Sequence, residues 1–294
     1  MADRALRLPH NSPGGFFVDS TCIDCDQCRA VAPASFRDAG GEASVFRQPS
    51  SPEETRRALM ALVTCPVGAI GSEQAREHRE AMHEAQASFP EMVEDSVYFC
   101  GYSSRDSFGA SSYLIVRPEG NVLVDSPRFT SRLVEKIERM GGIRLMFLSH
   151  IDDIADHAKF HRHFGCERVI HSREVRAGIA DIERKIKGDE AQPLAGDLIA
   201  IPTPGHTRGH MVLLYRKKFL FSGDHLWWSP ERGRLAASRA HCWYSWEEQK
   251  ESMKRLLGET FEWVLPGHGR RHRASASEMR GLVAGALALM SEVK

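Results

Sequence analysis

No run of 18 apolar residues occurs anywhere in this 294-residue chain, so no membrane-spanning helix is expected. The first residues, Met-Ala-Asp-Arg-Ala-Leu-Arg, lack the apolar block of a secretory signal. Charge of either sign is missing in net terms: 39 Lys and Arg balance 39 Asp and Glu, which removes a bulk electrostatic case for nucleic acid. There is no short-period repeat, and no Ser-His-Asp or Cys-His arrangement that reads as a nucleophilic site. A cytoplasmic protein with more than one domain, acting on a small molecule rather than a membrane or nucleic acid, is the expectation.

Seven cysteines are present, and they are unevenly placed. Cys22, Cys25 and Cys28 form a C-x2-C-x2-C run, and Cys65-Pro66 follows after a gap. Cys100, Cys166 and Cys242 are scattered and read as buried or inert. An odd total with this spacing argues for metal or cluster ligation over a disulfide framework. Two-residue spacing lets one tight loop reach three corners of an iron–sulfur cube, and Cys65 is placed to supply the fourth thiolate. A zinc knuckle would need a second C-x2-C pair, which is missing. Ser51-Pro-Glu-Glu54 predicts a capped helix with Leu59 and Leu62 inward, ending near Cys65.

Residues 14–71 resemble bacterial-type ferredoxins. Two-cluster members continue as C-x2-C-x2-C-x3-C-P, but here that position is Ala32, followed by Pro33. The resemblance implies a single [4Fe–4S] cluster held by Cys22, Cys25, Cys28 and Cys65, which either exchanges electrons with a redox partner or serves only as a structural staple. Residues 72–95 read as a polar, solvated helical linker, with His78 and His83 on its surface.

Beyond the linker, short apolar runs alternate with helical segments. Strands are expected at 112–116, 121–125, 144–148, 168–171, 198–201, 211–215, 219–221 and 262–265. Helices are expected at 131–140, from Ala158, and at the C-terminus, where Met279, Leu282, Val283, Ala286, Leu287 and Met290 share a face. Ser149-His-Ile-Asp-Asp-Ile-Ala-Asp-His157 packs two imidazoles and three carboxylates into nine residues between a strand and a helix. That composition suits hard or borderline cations. Three later loops repeat the theme, each setting a ligand-type residue beside glycine: His206 in Pro-Gly-His-Thr, Asp224 in Ser-Gly-Asp and His268 in Pro-Gly-His-Gly.

In this order the four loops resemble the metallo-β-lactamase-fold hydrolases, over residues 96–294. The resemblance implies an αββα sandwich, so that the whole chain is α+β / α/β with a small iron–sulfur domain in front. It also implies one or two divalent ions (Zn, Mn or Fe). Carried over by position, His150, Asp152 and His206 would hold the first ion, and Asp156, His157 and His268 the second. Asp224 would bridge them, and Asp156 would also orient the attacking water. The first motif departs from H-x-H-x-D-H: Asp152 stands where His is usual, Asp156-His157 comes two residues late, and Asp153 is an alternative to Asp152. The extra carboxylate hardens the site.

The implied activity is hydrolysis, by metal-bound hydroxide, of an ester, thioester or related bond. An iron-dependent oxidoreductase fed by the cluster, as in the persulfide dioxygenases and flavodiiron proteins of this fold, is the alternative. A sensor with an altered site is a third. His210, His225 and His241 read as pocket or surface groups, and the Trp227, Trp228, Trp243, Tyr244 and Trp246 run as a pocket wall or core. His161 and His163 are expected to face solvent. Arg270, Arg271 and Arg273 read as a solvated basic turn. Anaerobic reconstitution is expected to give four irons and four sulfides per chain; a clear shortfall contradicts the cluster assignment.

Overall fold

The computed structural model describes residues 2–74 and 77–292. It divides into two compact units: residues 1–144 with 155–164, and residues 145–154 with 165–294.

In the first unit, strand Phe16–Val18 pairs antiparallel with Ile70–Ser72. Between them lie helix Gln27–Val31, the hairpin Phe36–Asp38 with Ala43–Val45, and helix Pro52–Thr64. Ser51 caps that last helix by accepting the Glu54 N–H at 3.2 Å. The reciprocal arm of the expected capping box shifts by one residue, because Glu54 accepts the N–H of Ser50 at 2.8 Å. Leu59 is fully buried, but Leu62 is only half-buried; Met60 and Val63 fill the inner face in its place. Within the linker, a helix forms over Arg79–Ala87; positions 75 and 76 of that segment lie outside the described residues. His83 is exposed, whereas His78 is half-buried and stacks on Phe16 with centroids 5.4 Å apart.

An antiparallel meander follows: Glu91–Glu94, Val97–Phe99, Tyr113–Ile115 and Val122–Val124. Its last turn is the expected hairpin across Pro118–Gly120, with Tyr113 opposite Val124. Thr130 caps helix Ser131–Arg139, whose Leu133, Val134 and Ile137 are buried, as their spacing requires.

In the second unit, strands Leu145–Phe147, Glu167–His171 and Arg184–Ile186 lie parallel. A six-stranded sheet runs in the order Gln192–Ala195, Leu198–Pro202, Met211–Tyr215, Phe219–Gly223, Trp263–Pro266, His272–Arg273. All its neighbours are antiparallel except Phe219–Gly223 and Trp263–Pro266, which are parallel. Helices Trp246–Leu256 and Ala276–Glu292 share one apolar core with this sheet, in which Val212, Leu214, Leu220 and Val264 meet Met253, Met279, Val283 and Met290. Trp246 belongs to that core and donates its indole N–H to Met290 O at 3.2 Å.

The parallel strands also bury a charge. Arg168 is 1% exposed and donates to Glu183 at 2.7 and 3.0 Å and to Asp181 at 3.0 Å. Burial pushes the Glu183 carboxyl up, but the hydrogen bonds from Arg168 outweigh it and bring it down to about 2. A carboxyl held below its ordinary value stabilises the fold fully above about pH 4.5, and that stabilisation is lost as pH falls toward about 2. Glu183→Gln leaves a buried guanidinium short of countercharge and is expected to cost about 1–3 kcal/mol in urea unfolding at neutral pH. The deficit relative to wild type should shrink below pH 4.5.

Candidate metal centre and cluster site

Four loops in the second unit leave the C-terminal ends of strands and meet. His150 follows Leu145–Phe147, His206 follows Leu198–Pro202, Asp224 follows Phe219–Gly223, and His268 follows Trp263–Pro266. The parallel pairing of the last two strands sets Asp224 beside His268, and the Gly267 N–H donates to Gly223 O at 2.9 Å. The Met211 N–H, donating to Ser149 O at 2.8 Å, ties the His150 loop to the His206–His210 loop.

The resulting cluster is dense. His150 Nε2 lies 3.9 Å from Asp152 Oδ2 and 3.8 Å from Asp224 Oδ2. His206 Nε2 lies 3.5 Å from Asp152 Oδ2 and 3.6 Å from Asp224 Oδ2. His268 Nδ1 is hydrogen-bonded to Asp224, 2.9 and 3.0 Å from its two oxygens. Asp153, 1% exposed, joins the group through His150 and Asp224. Gly267 makes room for it, since a Cβ there would sit 2.7 Å from Asp153 Oδ2 and 2.9 Å from Asp224 Oδ1. At the back the site is closed, His150 being 0% and His206 4% exposed; at the front Asp152 (48%) and His268 (30%) reach solvent.

These side chains fit a divalent ion. Among the described residues the buried Nε2 atoms of His150 and His206 have no hydrogen-bond partner. Their separations from the carboxylates, 3.5–3.9 Å, exceed the usual N–H···O range of about 2.7–3.2 Å. They match the spacing of neighbouring ligands on one ion, about 3.4 Å for bonds of about 2.1 Å in a tetrahedron. The Ser149 hydroxyl engages His150 Nδ1 at 2.9 Å, which leaves Nε2 to face the cluster. Burial pushes His150 down to about 4, against the pull of Asp224, so its imidazole is neutral and its lone pair available at neutral pH. Burial works against ionisation of Asp224, but His268, His150 and His206 outweigh it and hold the carboxyl well below the usual range. Asp152 is also lowered, chiefly by His206.

His210 is buried behind this group. Its Nε2 accepts the Asp224 N–H at 3.2 Å and its Nδ1 meets the Thr203 hydroxyl at 2.9 Å, so both ring nitrogens are used in orienting the Asp224 loop. Asp156 and His157 are in neither of the ligand-type groups among the described residues, which are His150–Asp152–His206 and His150–Asp153–Asp224. Asp156 accepts the Phe129 N–H at 2.7 Å and pairs with Lys159 at 2.7 Å, and His157 is buried at the start of helix His157–Phe164. The two additional residues of the motif are spent on a 3-10 turn, Ile151–Asp153, which turns Asp153 inward.

The aromatic run splits. Trp228 stacks on His272 at 3.6 Å. Trp243 and Tyr244 are exposed and donate their backbone N–H groups to His206 O at 2.9 and 3.1 Å, which places apolar surface beside the metal-type cluster. Sequence reasoning missed Glu174, which is buried and donates nothing; its Oε2 accepts the Ile151 N–H at 3.0 Å. Only its distance along the chain from the ligand loops hid it.

In the first unit Cys22, Cys25, Cys28 and Cys65 line one small cavity with Val18, Ile23, Val67, Ala69 and Ile70. Burial pushes the Cys25 thiol up to about 12 and the Cys28 thiol well above its ordinary value. Thiols so desolvated become thiolates only with a cationic partner, which a cluster supplies. The Ala43 and Ala69 N–H groups already point at Cys22 Sγ (3.4 Å) and Cys65 Sγ (3.3 Å). Asp24 and Asp26, both with positive φ, bend the cysteine loop, and the buried Arg29 pairs with both. Gly109 packs on this loop; its Cβ would lie 2.6 Å from Cys25 Cβ, at a φ of +87°.

Arrangement and side chains together define a class: a mixed α/β sandwich with a His/Asp metal centre, preceded by a single-cluster 4Fe–4S domain. Residues 105–268 match the family model of the metallo-beta-lactamase superfamily, more than half of the chain, and the protein belongs to that superfamily. Residues 18–72 match the model described as the 4Fe-4S single cluster domain of Ferredoxin I. The cofactors that follow are one [4Fe–4S] cluster and one or two metal ions. No curated protein matches the chain by sequence. Solved structures that resemble it include the metallo-beta-lactamase FIM-1 from Pseudomonas aeruginosa in its mono-zinc form, at 16% identity and TM-score 0.51, over 69% of this chain and 95% of that one. Another is VMB-1, at 18% identity and TM-score 0.53, covering 69% and 95%. A third is a metallo-beta-lactamase from Pontibacter korlensis, at 17% and 0.52, covering 68% and 97%. At such identities the likeness is one of fold. Among the described residues no helix is long and apolar enough to cross a membrane.

Gly109→Ala would drive a methyl into Cys25, so reconstituted protein should carry at least severalfold less cluster by its visible absorbance. Wild-type cluster content in that variant would contradict the packing described.

Proposed function

We propose that the protein is a metal-dependent hydrolase acting on an ester, thioester or related bond of a small molecule. The observation that carries this reading is the pair of buried, unpartnered Nε2 atoms of His150 and His206 facing Asp152 and Asp224. In this reading His150, Asp152, His206 and Asp224 hold one ion. A second position is built from Asp153, Asp224 and His268, so that Asp153 takes the place expected for Asp156. When bound, the ions supply Lewis acidity at the bond under attack and lower the pKa of the attacking water toward about 7.

The protein's own groups do the rest. Asp224, held ionised, keeps His268 oriented. The closed wall of His150 and His206 excludes bulk water from the back, while Asp152 and His268 leave the front open to substrate. Trp243 and Tyr244 offer an apolar flank. A donor set of three imidazoles and three carboxylates accepts zinc, manganese or iron.

The domain division 14–71, 72–95 and 96–294 is part of this reading, supported by the two family matches. So is a cytoplasmic setting, supported by cysteines that are all free of disulfides. The fused 4Fe–4S domain favours one second reading, an iron-dependent oxidoreductase with an external redox partner.

Metal-resolved turnover separates them. Zinc- or manganese-loaded protein should hydrolyse an aryl ester or thioester panel, His206→Ala should lose at least 100-fold in kcat/KM, and Cys65→Ser should keep the activity if it folds. No hydrolysis under any metal, with iron bound and activity dependent on Cys65, would overturn the hydrolase reading.

A further inference from the structure

Glu174 sits in the 3-10 turn Ser172–Glu174, directly after strand Glu167–His171, and is 3% exposed. Its carboxylate reaches two separate loops. Oε2 accepts the Ile151 N–H at 3.0 Å, and Oε1 accepts the Gly209 N–H at 2.5 Å. Ile151 lies between His150 and Asp152. Gly209 lies between His206 and His210. One buried side chain therefore fixes the backbone of both segments that bring the unpartnered nitrogens of His150 and His206 together.

The fit is tight on the glycine side. A Cβ at position 209 would stand 2.8 Å from Glu174 Cγ, 2.9 Å from its Oε1 and 2.9 Å from His171 Nδ1. The His171 ring beside it is held in turn: the Arg173 N–H donates to His171 Nδ1 at 3.1 Å, and His171 Nε2 meets Gly188 O at 2.9 Å. A buried carboxylate is costly unless hydrogen-bonded, so its placement across two backbone donors has an energetic reason. Both oxygens must accept. A glutamine would turn an NH2 donor onto one of the two N–H groups and break that arm while preserving shape.

We propose that Glu174 is a positioning residue of the metal centre, clamping the His150–Asp153 turn to the His206–His210 loop so that His150, Asp152 and His206 converge on one ion. This rests on the reading of those three side chains as ligands. Groups that orient metal ligands typically govern about 10–100-fold in affinity.

The test uses full-length, cluster-loaded protein, Co(II) titrated against a chromophoric chelator, and the visible bands of bound Co(II). Glu174→Gln and Glu174→Ala should raise the Co(II) Kd by about 10–100-fold and alter its bands. Circular dichroism and cluster absorbance should stay at wild-type values. Gly209→Ala, a position without left-handed φ, should act in the same direction and serves if neither Glu174 variant folds. Folded variants with wild-type Kd and bands overturn the proposal. Wild-type protein that binds no Co(II), or His206→Ala that binds it unchanged, overturns the ligand assignment itself and the clamp with it; that failure shows before any Glu174 variant is measured.

Discussion

Two imidazole nitrogens held out of water without a hydrogen bond are the constraint on which the second unit is built. Leaving one such group unpartnered in a protein interior costs about 1–3 kcal/mol. Among the described residues His150 and His206 each leave Nε2 without a hydrogen-bond partner, in front of carboxylates 3.5–3.8 Å away. Much of the surrounding structure keeps them there. The strands end at the same edge, and the Ser149 hydroxyl takes the other nitrogen of His150. Thr203 and His210 orient the Asp224 backbone, and Glu174 joins the loops that carry His150 and His206. A cation at the convergence point would turn the unfavourable polar burial into coordination.

The cysteine site obeys the same logic with a different ligand. Cys25, Cys28 and Cys65 are withdrawn from water, which disfavours their ionised form, while backbone N–H groups and the adjacent Arg29 prepare for negative charge. Neither site is explained by packing alone. In the proposed reading each is a place where the chain accepts a local cost that a bound inorganic group would offset.

Much of this was legible in the sequence, because the chemistry-bearing residues sit in short motifs with local signals. The C-x2-C-x2-C run, the Pro-Gly-His and Ser-Gly-Asp turns, the Ser131 helix and its buried face all follow from spacing and turn chemistry. What escaped depends on tertiary geometry. Residues 151–153 form a 3-10 turn that buries Asp153, which no periodicity in Ser149–His157 reveals. Asp156 finds the Phe129 N–H, a partner 27 residues away. Glu174 lies 23 and 35 residues from the amides it holds. Leu62 is only half-buried while Met60 and Val63 are buried, because the inward face of the helix is set by what packs on it.

The most direct test of this account is a crystal structure of the metal-replete protein with anomalous data collected on both sides of the iron, zinc and manganese edges. The account predicts an iron signal among Cys22, Cys25, Cys28 and Cys65, and a separate ion bounded by His150, Asp152, His206 and Asp224. Any second ion should lie between Asp153, Asp224 and His268. A signal confined to the cysteines, or an ion ligated by Asp156 and His157, would contradict it.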